Sequence, residues 1–179
     1  MRGRRTARVA AFAACLLAAG GARAGEDYGL GRPASAAEIA QWDIDVAPDG
    51  AGLPPGQGSV RQGEAVFAAR CASCHGDRGQ GGPMDRLVGG AGTIATKKPV
   101  KTVGSFWPYA TTLFDFVRRA MPFDAPQSLS ATDAYAVCAY VLYLNGLLPA
   151  DATLDAKSLP EVRMPNRDAF FSAYKPDAR

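Results

Sequence analysis

Cys71-Ala72-Ser73-Cys74-His75 sets two thiols three residues apart and follows the second with the only histidine of the 179-residue chain. Three chemistries use such a cysteine pair. A dithiol redox site needs a βαβ setting of thioredoxin type, and no strand pattern of any length is legible. A structural zinc ion needs four ligands; no second pair is present, and Cys138 alone does not complete the set. The third is covalent attachment of a haem, for which Cys-x-x-Cys-His is the signature. In the last turn of a helix, residues three apart lie on one side. Cys71 and Cys74 can then each add across one vinyl group of haem c, while His75 turns its imidazole under the iron. One motif implies one haem.

A single histidine excludes a second axial imidazole from the same chain and leaves sulfur. The candidates are Met84, Met121, Met164 and Cys138. Met84 is nine residues after His75 and needs a tight loop to reach the opposite haem face. Met164 lies beyond the last expected helix. Cys138 stands mid-helix among apolar residues, where a buried thiol is the plainer reading. Met121, 46 residues after His75, follows a helix and precedes Pro122, which makes it the expected distal ligand. Its alternative role is a core methionine. Histidine and methionine together raise the reduction potential and fill both axial positions, which favours outer-sphere electron transfer over oxygen or peroxide chemistry.

The elements that must hold these residues are helical. Ser59 with Gln62 forms a capping box, and Gly63, Val66, Phe67 and Arg70/Cys71 fall on one face of the helix it opens. A Gly-rich stretch from Gly76 to Gly92 suits a loop wrapped closely around something. Pro108 can occupy the first turn of a helix YATTLFDFVRRA, with Tyr109, Leu113, Phe116, Val117 and Ala120 on one face; Pro122 ends it. A last helix runs from about Ser130, with Asp133 in its first turn, to Asn145-Gly146, a left-handed C-cap. The expected domain is all-α over residues 59–146, and three modest helices need something else at their centre. Residues 25–58 read as an extended N-terminal arm, with one short helix capped by Ser35 and Glu38. Residues 147–179, with scattered prolines, read as a C-terminal tail over the surface.

Residues 1–24 read as a secretory signal peptide: Arg2, Arg4, Arg5 and Arg8, then a short apolar run, then Ala22-Arg23-Ala24 as the cleavage pattern. The run is too short for a membrane span of ~20 residues. Haem is attached to an unfolded chain outside the cytoplasm, so the general export route, not the folded-protein route suggested by Arg4-Arg5, is expected, with a periplasmic destination. Cleavage removes five of the 20 basic residues and none of the 17 acidic ones, leaving a formal charge of −2. The basic balance of the full chain thus gives no ground for nucleic-acid or membrane binding. Residues 25–59 hold six acids and one base, whereas residues 60–149 hold nine bases and six acids.

RCASCHG, the Gly-rich loop, AMPF and AYVLYLNGL resemble the class I cytochromes c over residues 59–146. That resemblance implies that the first and last helices cross near Gly63 and Phe67, against Tyr140. YGLGRPAS, WDIDVAPDGAGLPPGQGSV, KTVGSFWPYATTLFDFVRRAMPF and VRMPNRD are similar to the cytochrome c subunit of the periplasmic sulfur dehydrogenase of the thiosulfate-oxidising Sox system. This implies a molybdenum-cofactor partner subunit that passes electrons to the haem, and a downstream respiratory carrier. By itself the chain is expected to be an electron-transfer protein. The alternatives are a stand-alone shuttle to a terminal oxidase or a haem enzyme acting on sulfur compounds or peroxide. In the family a proline carbonyl shortly after the motif accepts a hydrogen bond from the ligating imidazole; in GGPMDRLVGG Pro83 comes early and Asp85 stands nearer that place.

Trp107 and Tyr109 can hold a haem propionate through N–H and O–H, or serve as packing aromatics with a polar tip. Lys97, Lys98, Lys101, Arg118 and Arg119 can ring the haem edge and steer an acidic partner, or form an ordinary solvated face.

Overall fold

The structure is a computed structural model describing residues 30–171; the expected signal peptide lies outside the described residues. The chain divides after Ile39 into two compact units. The first contains the start of α1 (Ala36–Trp42). Ser35 and Glu38 form the expected reciprocal cap: the Glu38 amide donates to Ser35 Oγ at 3.3 Å, and the Ser35 amide donates to Glu38 Oε2 at 2.8 Å. Arg32 donates to the same carboxylate, and these bonds hold Glu38 down at about 2.

The second unit is built on α5 (Ala131–Leu144), whose Ser130 cap accepts the Asp133 amide at 3.1 Å. Every residue from Ala134 to Leu142 is buried, so α5 is covered on all sides. It ends in a Schellman motif: Gly146 donates to Tyr143 O and Leu147 to Leu142 O, with Gly146 at φ 72°. Helix α2 (Val60–Arg70) starts at the Ser59/Gln62 capping box and crosses α5. Gly63 makes the crossing possible: a Cβ there would stand 1.9 Å from the Ala136 carbonyl and 2.8 Å from Tyr140 Cβ. Phe67 and Tyr140 meet with ring centroids 5.5 Å apart, as the resemblance implied.

Helix α4 (Ala110–Ala120) follows the single turn α3 (Ala72–His75) and lies against α5. It starts later than expected, with Tyr109 as its cap, so Pro108 precedes the helix. Its buried face is also rotated from expectation. Ala110, Thr111, Leu113, Phe114 and Val117 face inward, with Phe114 against Tyr135 at 4.4 Å. Phe116 is 45% exposed and meets Trp107 edge-on at 5.7 Å. Leu113 and Val117 belong to both candidate stripes, and the fit of Phe114 to α5 decides between them.

Two expectations are corrected. The chain does contain strands: β1 (Gln57–Ser59) pairs antiparallel with β2 (Thr153–Asp155), Gly58 opposite Leu154. Three residues are too few to show a two-residue period. Gly58 lets β1 lie on α5, since a Cβ there would be 2.2 Å from the Ala136 amide. The tail is not a surface cover either. Leu154, Leu159, Val162 and Met164 are buried members of the main core, with a 3-10 turn at Leu159–Glu161 packed on α4. Their spacing follows no helical or strand period, so pattern alone does not reveal them.

Candidate haem site

The motif straddles the end of α2. Cys71 caps that helix, its amide donating to Phe67 O, and α3 turns the chain once more: Cys74 and His75 both donate to Cys71 O, at 3.2 and 3.0 Å. Cys71, Cys74 and His75 thus sit on one tight turn. Both thiols are unpaired; Cys71 is half-buried and Cys74 exposed. Burial pushes the Cys71 thiol up to about 11, against the pull of Arg70, so it is protonated at neutral pH.

The loop after the motif folds back on it. Gly76, at φ 81°, stops α3. The Gly81 amide donates to His75 O at 2.8 Å and the Met84 amide to Cys74 O at 3.0 Å. Gly82 lies so close that a Cβ would be 2.9 Å from the Cys74 carbonyl. This return brings the backbone carbonyl of Asp85 to 2.7 Å from His75 Nδ1. A carbonyl only accepts, so Nδ1 carries the proton and Nε2 keeps its lone pair. Asp85, not Pro83, is therefore the residue that orients His75.

Asn145 extends the support. Its Nδ2 donates to Val141 O at 2.9 Å and to Leu87 O at 3.2 Å, and its Oδ1 accepts the Gly89 amide at 3.1 Å. Gly104 leaves room for it, since a Cβ there would be 2.2 Å from that oxygen. In the sequence Asn145 signals only a helix stop. Its side chain ties the loop behind His75 to α5, and no local pattern signals that.

Met121 caps α4, half-buried, with its amide on Val117 O at 3.1 Å. The loop beyond it is tied to the motif helix by Arg70, which donates to Ser128 Oγ at 2.8 Å. Of the other sulfur candidates, Met84 is 52% exposed, while Met164 and Cys138 lie within the core; burial raises the Cys138 thiol far above its usual range. Trp107 and Tyr109 are half-buried just before α4, and the Arg167 guanidinium stands 5.0 Å over the Tyr109 ring. Of the five cations Lys97, Lys98, Lys101, Arg118 and Arg119, Arg119 is engaged with Asp115 and Asp45 and Lys101 stands over Phe106.

The donor set fits a covalently held haem: two unpaired thiols on one turn, an imidazole whose Nε2 keeps its lone pair, and a thioether at the end of α4. Among the described residues no group of three or more His, Cys, Asp or Glu could hold a metal ion, so the zinc reading finds no partners there. No helix among them is long and apolar enough to cross a membrane.

The family profile described as cytochrome C oxidase, cbb3-type, subunit III matches residues 58–141, a span that includes the motif and Met121. The chain is 32% identical over 90 residues to a thiosulfate dehydrogenase of Stutzerimonas stutzeri (strain A1501). That match takes in 49% of this chain but only 28% of the relative. A solved chain of the sulfane dehydrogenase SoxCD from Paracoccus pantotrophus is 47% identical, with a TM-score of 0.75. The likeness covers 86% of this chain and 74% of that one.

Proposed function

Because this chain belongs to the cytochrome c family, as a relative of the cytochrome of sulfane dehydrogenase SoxCD, we propose that it is a periplasmic one-haem electron carrier serving a sulfur-compound dehydrogenase. Cys71 and Cys74 would hold the haem by thioether bonds. His75 Nε2 and Met121 Sδ would take the two axial positions, and Trp107 and Tyr109 would contact the propionates. When bound, the haem supplies the redox chemistry, its iron gaining or losing one electron. The chain's own residues do the rest. Asp85 O fixes the His75 tautomer and ring plane, and Asn145 holds the loop that carries Asp85. Helix α4 carries Met121 at its C-terminal end.

The observation that carries this reading is the His75–Asp85 bond beside two unpaired thiols. It prepares the imidazole as a ligand in a way that neither a dithiol site nor a solvated surface would require.

The likeness to SoxCD supports a molybdenum-cofactor dehydrogenase as electron donor, with a respiratory carrier as acceptor. In this reading residues 1–24 are a signal peptide cleaved near Ala24, and 25–58 form an arm for docking on the partner. Residues 59–146 wrap the single haem, and the tail 147–179 adds Leu154, Leu159, Val162 and Met164 to the core. The test is expression with export and haem maturation. Intact mass of the mature chain should show a start at Gly25 and one haem; a chain without haem would refute the reading. Deleting residues 25–44, which leaves in place the segment bonded to Asp115, Thr111 and Tyr135, should abolish co-purification with the dehydrogenase, and unchanged association would rule out docking by that part of the arm.

A further inference from the structure

We propose that residues 45–54 act as a brace on the end of α4, and that Asp115 is the positioning residue through which the brace holds Met121. The proposal rests on Met121 as axial ligand. The last turn of a helix has unpaired carbonyls and frays first. Met121 hangs from that turn by the hydrogen bond its amide donates to Val117 O, so whatever fixes the turn fixes the methionine backbone.

The turn is fixed from outside the helix. Asp115 Oδ1 accepts the Val46 amide at 3.1 Å and Arg119 Nη2 at 2.8 Å, and its Oδ2 accepts Arg119 Nε at 3.2 Å. Arg119 Nη2 also donates to Asp45 Oδ1 at 2.6 Å. One guanidinium is therefore shared by two carboxylates, and one carboxylate joins that guanidinium to a backbone amide 69 residues away. An ordinary pair along a helix surface would need only Asp115 and Arg119; the bonds to Asp45 and Val46 have no part in such a pair.

The contact continues. Buried Thr111 donates to Pro48 O at 3.3 Å, and Tyr135 of α5 donates to Pro54 O at 2.9 Å. The segment is itself stiff. Ala47 donates to Ala51 O at 2.9 Å, and Gly52, at φ 88°, lies where a Cβ would be 1.9 Å from Asp45 O. Behind it, a Cβ on Gly50 would meet Pro160 Cγ at 2.6 Å, so the tail backs the brace. A segment read from sequence as part of an arm thus controls how easily Met121 moves away from its place.

The test uses the haem-loaded protein and two variants, Asp115→Ala and the exposed Asp45→Ala, which leaves no buried group unpaired. The readouts are the sulfur-to-iron charge-transfer band of the ferric form, the rate at which added imidazole displaces the methionine, and helix content by circular dichroism in urea. Imidazole uptake should quicken about tenfold in Asp115→Ala and about two- to threefold in Asp45→Ala. The band should be lost in urea before the helices in both. A parent protein without the band overturns the axial reading, and with it this role of the brace. A parent with the band, whose variants take up imidazole at the parental rate, overturns the brace alone. Band and helices lost together in both variants would mark a general contribution to folding and also overturn it.

Discussion

His75 donates from Nδ1 to the backbone carbonyl of Asp85 at 2.7 Å. The bond selects the tautomer with a free Nε2 and sets the ring plane before any iron is present. Because the acceptor is main chain, residue identity at position 85 matters little to it. Asp85→Ala should leave the haem spectrum intact and shift the midpoint potential by less than about 20 mV, a third of the ~59 mV that marks a tenfold change in a one-electron equilibrium. Redox titration checks this. A larger shift would show that the carboxylate, not the carbonyl, acts on the site.

The α2–α5 crossing depends on an absent side chain. Gly63→Ala places a methyl group 1.9 Å from the Ala136 carbonyl, a backbone atom that cannot swing aside. We expect a loss of about 3 kcal/mol, at the upper end for overpacked cores, read from urea denaturation. A loss below about 1 kcal/mol would show that the two helices can part without cost.

Tyr135 provides a pH test. Its hydroxyl donates to Pro54 O at 2.9 Å, and burial pushes its pKa up to about 12 from 10. The neutral form is favoured in the folded protein, so this contribution is complete below pH 10 and is lost as pH rises through about 12. Tyr135→Phe should remove that alkaline component and cost about 1 kcal/mol at neutral pH, the usual worth of one hydrogen bond. Denaturation at several pH values checks both, and an unchanged alkaline limb would contradict the assignment.

The parts of the molecule that follow local rules were legible in the sequence. The caps at Ser35 and Ser59 stand where side-chain chemistry required them, and the last helix starts at Ser130 as expected. The haem motif lies at a helix end, and Gly63 lies at the crossing that the family resemblance, not a local rule, implied. What escaped reading depends on long-range partners. The burial of Leu159 and Met164 follows no period, Asn145 reaches Leu87 across 58 residues, and Arg119 is drawn to Asp45 across 74. The inward face of α4 belongs with these, because two stripes shared Leu113 and Val117 and only the shape of α5 chose between them.

The central claim is that Met121 completes the axial set opposite His75, making the chain an electron carrier. The most direct measurement is the ferric absorption spectrum and midpoint potential of the haem-loaded Met121→Ala variant. The account predicts loss of the sulfur-to-iron charge-transfer band and a fall in potential on the order of 100 mV, within the ~0.8 V range that axial ligands set. A band and potential that survive the substitution would contradict it.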